Sequence, residues 1–161
     1  MDPASCRETL ASLISQESAA LDELATLLDR EHVCLVANDV VALEQAMAER
    51  QHCVGTIVRV EEERRAMCRM MGYTNDLPGL EKLLGWCDPS GTLKPLWAEC
   101  AQRGGRCREL NDRNGALVNA RLKRVEALLG ALTGKPAEGT TYGRAGAYAP
   151  PRAGRVLTTQ A

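Results

Sequence analysis

Residues 93–132 read LKPLWAECAQRGGRCRELNDRNGALVNARLKRVEALLGAL, and the reading of this stretch decides the fold. Asn114-Gly115 would ordinarily mark a hairpin turn between two strands. Here it sits in a seam of alternating four- and three-residue steps: Leu93, Trp97, Cys100, Gly104, Cys107, Asn111, Asn114, Val118, Arg121, Val125, Leu128 and Leu132. That period belongs to a helix and not to a strand. Gly104-Gly105 costs about 1 kcal/mol per glycine against alanine, so a break there is the competing reading. Cys100 and Cys107 stay in phase across the pair, which favours one continuous helix. Gly134 and Pro136 then supply stop signals.

The same steps recur upstream. Leu10, Ile14, Glu17, Leu21, Leu24, Leu28, Glu31 and Leu35 form a first seam, widened by Leu13, Ala20 and Leu27, and predict a helix over about 5–36. Its width suits a bundle better than a two-stranded coiled coil. Ser5 is the expected N-cap, with Glu8 completing a capping box. Asn38-Asp39 interrupts, and either residue suits the next N-cap. The second seam runs Val40, Leu43, Met47, Arg50, Val54, Ile57, Glu61, Arg64, Cys68, Met71, with Gly72 as its C′ residue. So short a linker predicts an antiparallel hairpin roughly 50 Å long. Thr74-Asn-Asp76 caps a short helix through Leu77–Leu84, and residues 73–92 cross back to start the last helix. The expected fold is all-α: a long-helix hairpin or three-helix bundle over 1–133, with a short extra helix. A closed bundle and a hairpin with a splayed last helix satisfy the pattern equally. From 134 to 161, 14 of 28 residues are Gly, Pro or Ala, which predicts a flexible C-terminal tail.

A length of 161 residues suits one domain with a real core. The net charge is −1 but unevenly spread: −5 over residues 1–37 and +7 over residues 93–161, so first and last helices are good neighbours. A basic half could also meet RNA, but with two Trp, three Tyr and no Phe it lacks stacking platforms. No apolar run approaches the ~18 residues of a membrane span. The seven cysteines (6, 34, 53, 68, 87, 100 and 107) contain no C-x-x-C pair. With no signal-like N-terminus before them, they are expected to be reduced, mostly buried thiols in a cytoplasmic protein.

Chemistry is hard to find. His32-x-Cys34 and His52-Cys53 do not make the four convergent ligands of a zinc site. Glu61-Glu62-Glu63 reads as a solvated face, and the two Glu-x-x-His pairs of a di-iron bundle are not present, since Glu49-x-x-His52 stands alone. The Gly139–Gly146 stretch lacks the Lys-Ser/Thr and helix of a phosphate loop. The chain is therefore expected to be no enzyme and to hold no cofactor or metal. Asn111, Asn114 and Gly115 have two compatible readings. The amides fix helix register, as buried polar residues do in coiled coils, or they leave a bare patch of backbone facing a groove that accepts a partner.

Several stretches together resemble the FlgN-like flagellar export chaperones, nearly end to end. They are the Leu-rich first helix, Asn38-Asp-Val-Val-Ala-Leu43, Arg64 ahead of Gly72, Asn111-Asp-Arg-Asn114-Gly115-Ala-Leu117, and Tyr142-Gly143-Arg144-x-Gly146 in the tail. Arg50 stands where the family often has a lysine, and the tail is longer than the shortest family members would need, so residues 150–161 have no assigned role. The resemblance implies a cytoplasmic, non-enzymatic helical protein. Its partners would be the hook-associated proteins FlgK and FlgL, delivered to the export gate FlhA. An amphipathic terminal helix of such a client would seat in a helical groove by its i, i+3, i+4, i+7 anchors. The client-binding candidates are Asn111, Asn114, Gly115, Leu117, Leu122, Val125, Leu128, Leu129 and Leu132, and the tail candidates for the gate are Tyr142, Gly143 and Arg144. Neither nucleic acid nor membrane insertion is expected, and a homodimer is compatible with the seams. The alternative is a coiled-coil scaffold or oligomeric adaptor without a secreted client. Light scattering would reveal it as a stable homo-oligomer.

Overall fold

The computed structural model describes residues 2–134, and every secondary-structure element in them is a helix: α1 (Pro3–Ala37), α2 (Val40–Met70), α3 (Leu77–Cys87) and α4 (Leu93–Thr133). The tail candidates Tyr142, Gly143 and Arg144 lie outside the described residues. The chain divides into two compact units, residues 1–121 and 122–161.

Local chemistry sets the helix ends. α1 starts earlier than the capping box predicts. Asp2 is the N-cap, its carboxylate accepting from the Ala4 and Ser5 N–H groups at 3.0 and 3.1 Å. Pro3 fits the first turn because its missing N–H has no partner to lose there. Asn38 ends α1 in the left-handed conformation (φ 59°), and Asp39 caps α2 by accepting from the Ala42 N–H. The two candidates for one cap thus divide the work of ending one helix and starting the next. Gly72 follows α2 at φ 78°, where a side chain would be strained. Asp76 caps α3, and α4 runs unbroken through Gly104-Gly105 and Asn114-Gly115.

Within residues 1–121, α1 and α2 form the antiparallel hairpin. The Cys53 thiol donates to the Ala20 carbonyl at 3.1 Å, and Arg64 pairs with Glu17 at 3.3 Å. α4 lies parallel to α1. Cys107 donates to the Leu21 carbonyl and Asn114 to the Leu28 carbonyl, one heptad on in both helices. Arg103–Asp22, Arg113–Asp29 and Arg121–Asn38 continue the same register at the surface. The acidic first helix and basic last helix are neighbours, as the charge distribution anticipates. Residues 73–92 do not travel the length of the hairpin. Leu80, Leu83 and Leu84 of α3 pack with Leu10, Val60, Met67 and Leu93, so α3 closes one end, where α2 finishes and α4 begins.

All seven cysteines are buried free thiols. Burial first, and then the neighbouring Cys87, pushes the Cys6 thiol up to about 12. These sulfurs behave as small apolar side chains.

The turn into α4 depends on Asp88, a residue without an obvious role in the sequence. It is 2% exposed, and its carboxylate accepts from the Leu93 N–H at 2.7 Å and from the Thr92 and Ser90 hydroxyls at 2.8 and 2.9 Å. These bonds, the Leu93 N–H foremost, hold its carboxyl below the usual carboxylate range. Because the folded value is the lower one, the stabilisation is complete above the ordinary carboxylate value and is lost as pH falls through the folded value. The wild type should therefore melt above Asp88→Asn at neutral pH. The gap should narrow on acidification below about pH 4, as followed by circular dichroism. A constant gap would show that the charge is not what matters.

Candidate functional site: a groove between the second and last helices

A three-helix bundle would be closed if α2 and α4 met along their length. They approach at one end, where the Arg64 guanidinium stacks over the Trp97 ring at 4.7 Å while also pairing with Glu17. Beyond that clasp an open groove runs between them, floored by α1. Its first stretch encloses about 630 Å³, with Leu21, Leu24 and Leu28 below, Val54 and Ile57 on α2, and Gly104 and Asn111 on α4. Its continuation encloses about 300 Å³ between Met47 on one side and Gly115 and Val118 on the other.

Two features of the sequence leave this space open. α2 carries two adjacent stripes. The one packed inside the fold is Ala46, Cys53, Val60 and Met67, all at most 3% exposed. The seam read from the sequence lies one position around, and Leu43, Met47, Arg50, Val54, Ile57 and Glu61 wall the groove instead. Only towards its end, at buried Cys68, does that seam join the core. α4 divides its seam in the same way. Leu93, Cys100, Cys107 and Asn114 are buried, whereas the intervening Gly104, Asn111 and Val118 face the groove. At Gly104 an added Cβ would meet one Leu21 methyl at 4.0 Å, and at Gly115 it would meet nothing within 4 Å. The second feature is that these α4 residues have short side chains, which leave the space toward α2 unfilled.

The candidate residues therefore separate by position. Asn114 is 5% exposed and holds α4 to α1. Its amide donates to the Leu28 carbonyl at 2.7 Å, so its own carbonyl accepts from the His32 Nδ1–H at 3.0 Å. This is the register-fixing reading of the seam asparagine, although Asn114 also edges the groove. Asn111 and Gly115 line the groove, and Leu117 is half-buried. Leu122, Val125, Leu128, Leu129 and Leu132 belong to the second unit and are 47–84% exposed. On a helix they form an apolar stripe of their own. The groove residues of α1 and α2 were missed as site residues. The signal was present in α2, whose apolar surface exceeds one helical stripe.

Chemistry is scarce in this groove. Among the described residues no three His, Cys, Asp or Glu side chains are grouped to hold a metal ion. No described helix is long and apolar enough to cross a membrane. What the groove presents is a half-filled helical packing surface, with Glu17, Glu61, Arg50 and Arg108 along its margins.

No curated protein and no solved structure matches the chain. A family model does match, under the description FlgN protein, and it spans residues 1–150, which take in all four described helices and the Tyr142-Gly143-Arg144 stretch. The match covers most of the chain, which therefore belongs to the FlgN family of chaperones for flagellar biogenesis.

Proposed function

We propose that this protein holds FlgK and FlgL, the hook-associated proteins, in the cytoplasm before export and delivers them to the export gate FlhA. The observation that carries the reading is the groove between α2 and α4, whose apolar floor and walls have no covering element among residues 1–121. Subunits that assemble through amphipathic terminal helices must have those stripes masked until they are exported. A helix laid in the groove would complete a four-helix arrangement, its apolar face against Leu24, Val54 and Ile57. Asn111, Asn114 and Gly115 would border it, whereas Leu117 lies outside the groove lining. Taken by themselves, Leu122, Val125, Leu128, Leu129 and Leu132 of the second unit are exposed and are a separate apolar candidate surface for the client. Tyr142 and Arg144 would meet the gate, with Gly143 between them.

Isothermal titration with the C-terminal helical segment of the source organism's FlgK or FlgL tests this directly. Saturable heat and a complex on sizing support it, and neither appearing refutes it. Truncation after Thr133 should weaken gate binding at least about tenfold, a loss of ~1.4 kcal/mol. The melting temperature should stay within a few degrees. A large loss of helix would instead make the tail structural.

A further inference from the structure

One buried polar atom in the groove has no partner. Glu31 is 3% exposed, and its Oε2 accepts from Arg50 Nη1 at 3.1 Å. Its Oε1 is buried with no hydrogen-bond donor. Asp88 and Asn114, the other buried polar side chains among the described residues, both have partners. A carboxylate oxygen withheld from water without a donor is costly, and such an atom calls for an explanation in what completes it. Glu31 lines the narrower stretch of the groove, together with Asn111, Gly115 and Asn119. This stretch thus mixes polar residues (Glu31, Arg50, Asn111, Asn119) with Leu43, Met47 and Val118, and one unmet acceptor lies buried just beneath its lining.

Resting on the reading of the groove as a client-helix site, we propose that Glu31 sets the register of the docked helix. The helix it fits carries one neutral donor, an Asn or Gln amide, within an otherwise apolar stripe, and on docking the Glu31 carboxyl turns toward the groove so that its unmet Oε1 accepts from that amide. A second cation fits poorly, because Arg50 already balances Glu31 and Arg108 lines the adjoining stretch. An amide adds no charge, and its carbonyl can accept from the exposed amides of Asn111 or Asn119. Gly115 leaves room for it, with nothing within 4 Å of where a Cβ would stand. Sliding the docked helix by one heptad would set a leucine against the carboxylate and carry the amide away from its acceptor. A single polar position in a helical seam fixes register in this way.

Two designed helical peptides of about four heptads serve as probes. One has an all-leucine stripe, and the other is identical except for a single central Leu→Asn change. Both are titrated calorimetrically into the full chain and its Glu31→Leu variant. The ratio of the two affinities should favour the Asn peptide about tenfold more in the wild type than in the variant. Glu31→Gln, which keeps an acceptor without the charge, should fall between them and carries the test if Glu31→Leu does not fold. An equal ratio in all three proteins overturns the proposal. So does the failure of both peptides to bind the wild type. The FlgK or FlgL segment separates the two readings. If it binds wild type and Glu31→Leu alike, only the register role is lost, whereas binding to neither removes the client reading as well.

Discussion

The double variant Val54→Asp/Ile57→Asp is expected to bind the client helix at least about thirtyfold more weakly than the wild type, the loss of a central binding hot spot. Both side chains are half-buried on the α2 wall of the groove, outside the stripe that packs within the fold. In the free protein the new carboxylates can reach water, so the helices should persist with only a modest loss of stability. In the complex the docked helix would cover them, and an uncompensated charge is costly to bury. Calorimetric titration measures the affinity and circular dichroism checks the fold. Full-strength binding by the folded variant would place the client elsewhere.

The second large effect concerns the closed end. Leu83→Ala should lower the unfolding free energy by about 2–5 kcal/mol, the range for deleting a buried leucine side chain. Leu83 is wholly buried in α3 and packs in the same cluster as Cys6, Leu10 and Val60. Leu132→Ala is the control. That leucine is 84% exposed, and its loss should stay within about 0.5 kcal/mol. Urea denaturation of both variants gives the comparison. Similar losses would mean that the leucines near the end of α4 serve the fold.

The contrast between these positions also marks how far the sequence could be read. The α1 seam was fully legible, because Leu10, Ile14, Leu21, Leu28 and Leu35 are large, regularly spaced and buried. The continuity of α4 was legible from the phase of Cys100 and Cys107. The packed stripe of α2 was not. Ala46 and Cys53 are weak hydrophobic signals beside Met47 and Val54, so the periodic steps traced the groove wall instead of the core. At the first cap, Ser5 with Glu8 matched a familiar pattern, but Asp2 ahead of Pro3 gives the helix an extra start that its sequence permits. Asp88 was hidden because its acceptor role depends on a turn that brings Ser90, Thr92 and Leu93 around one carboxylate.

The groove itself was legible only as an alternative. Asn111 and Gly115 marked one wall, yet no periodicity shows that α4 lies on α1 in parallel register while standing off α2. That arrangement comes from pairings across helices, Cys107 with Leu21 and Asn114 with Leu28, and from small side chains where α4 faces α2. Polar choices in the seam therefore mattered more than its leucines. Asn114 anchors the helix, and the bare backbone at Gly115 keeps the trough open.

The chain has two isoleucines, which makes the most direct measurement a simple one. Ile14 is 1% exposed in the core, and Ile57 is half-buried on the groove wall. With isoleucine methyls labelled in the full-length protein, addition of the FlgK or FlgL terminal segment should move the Ile57 signal strongly and leave Ile14 nearly in place. A complex that forms with the Ile57 methyl unmoved would contradict the claim that the groove shelters the client.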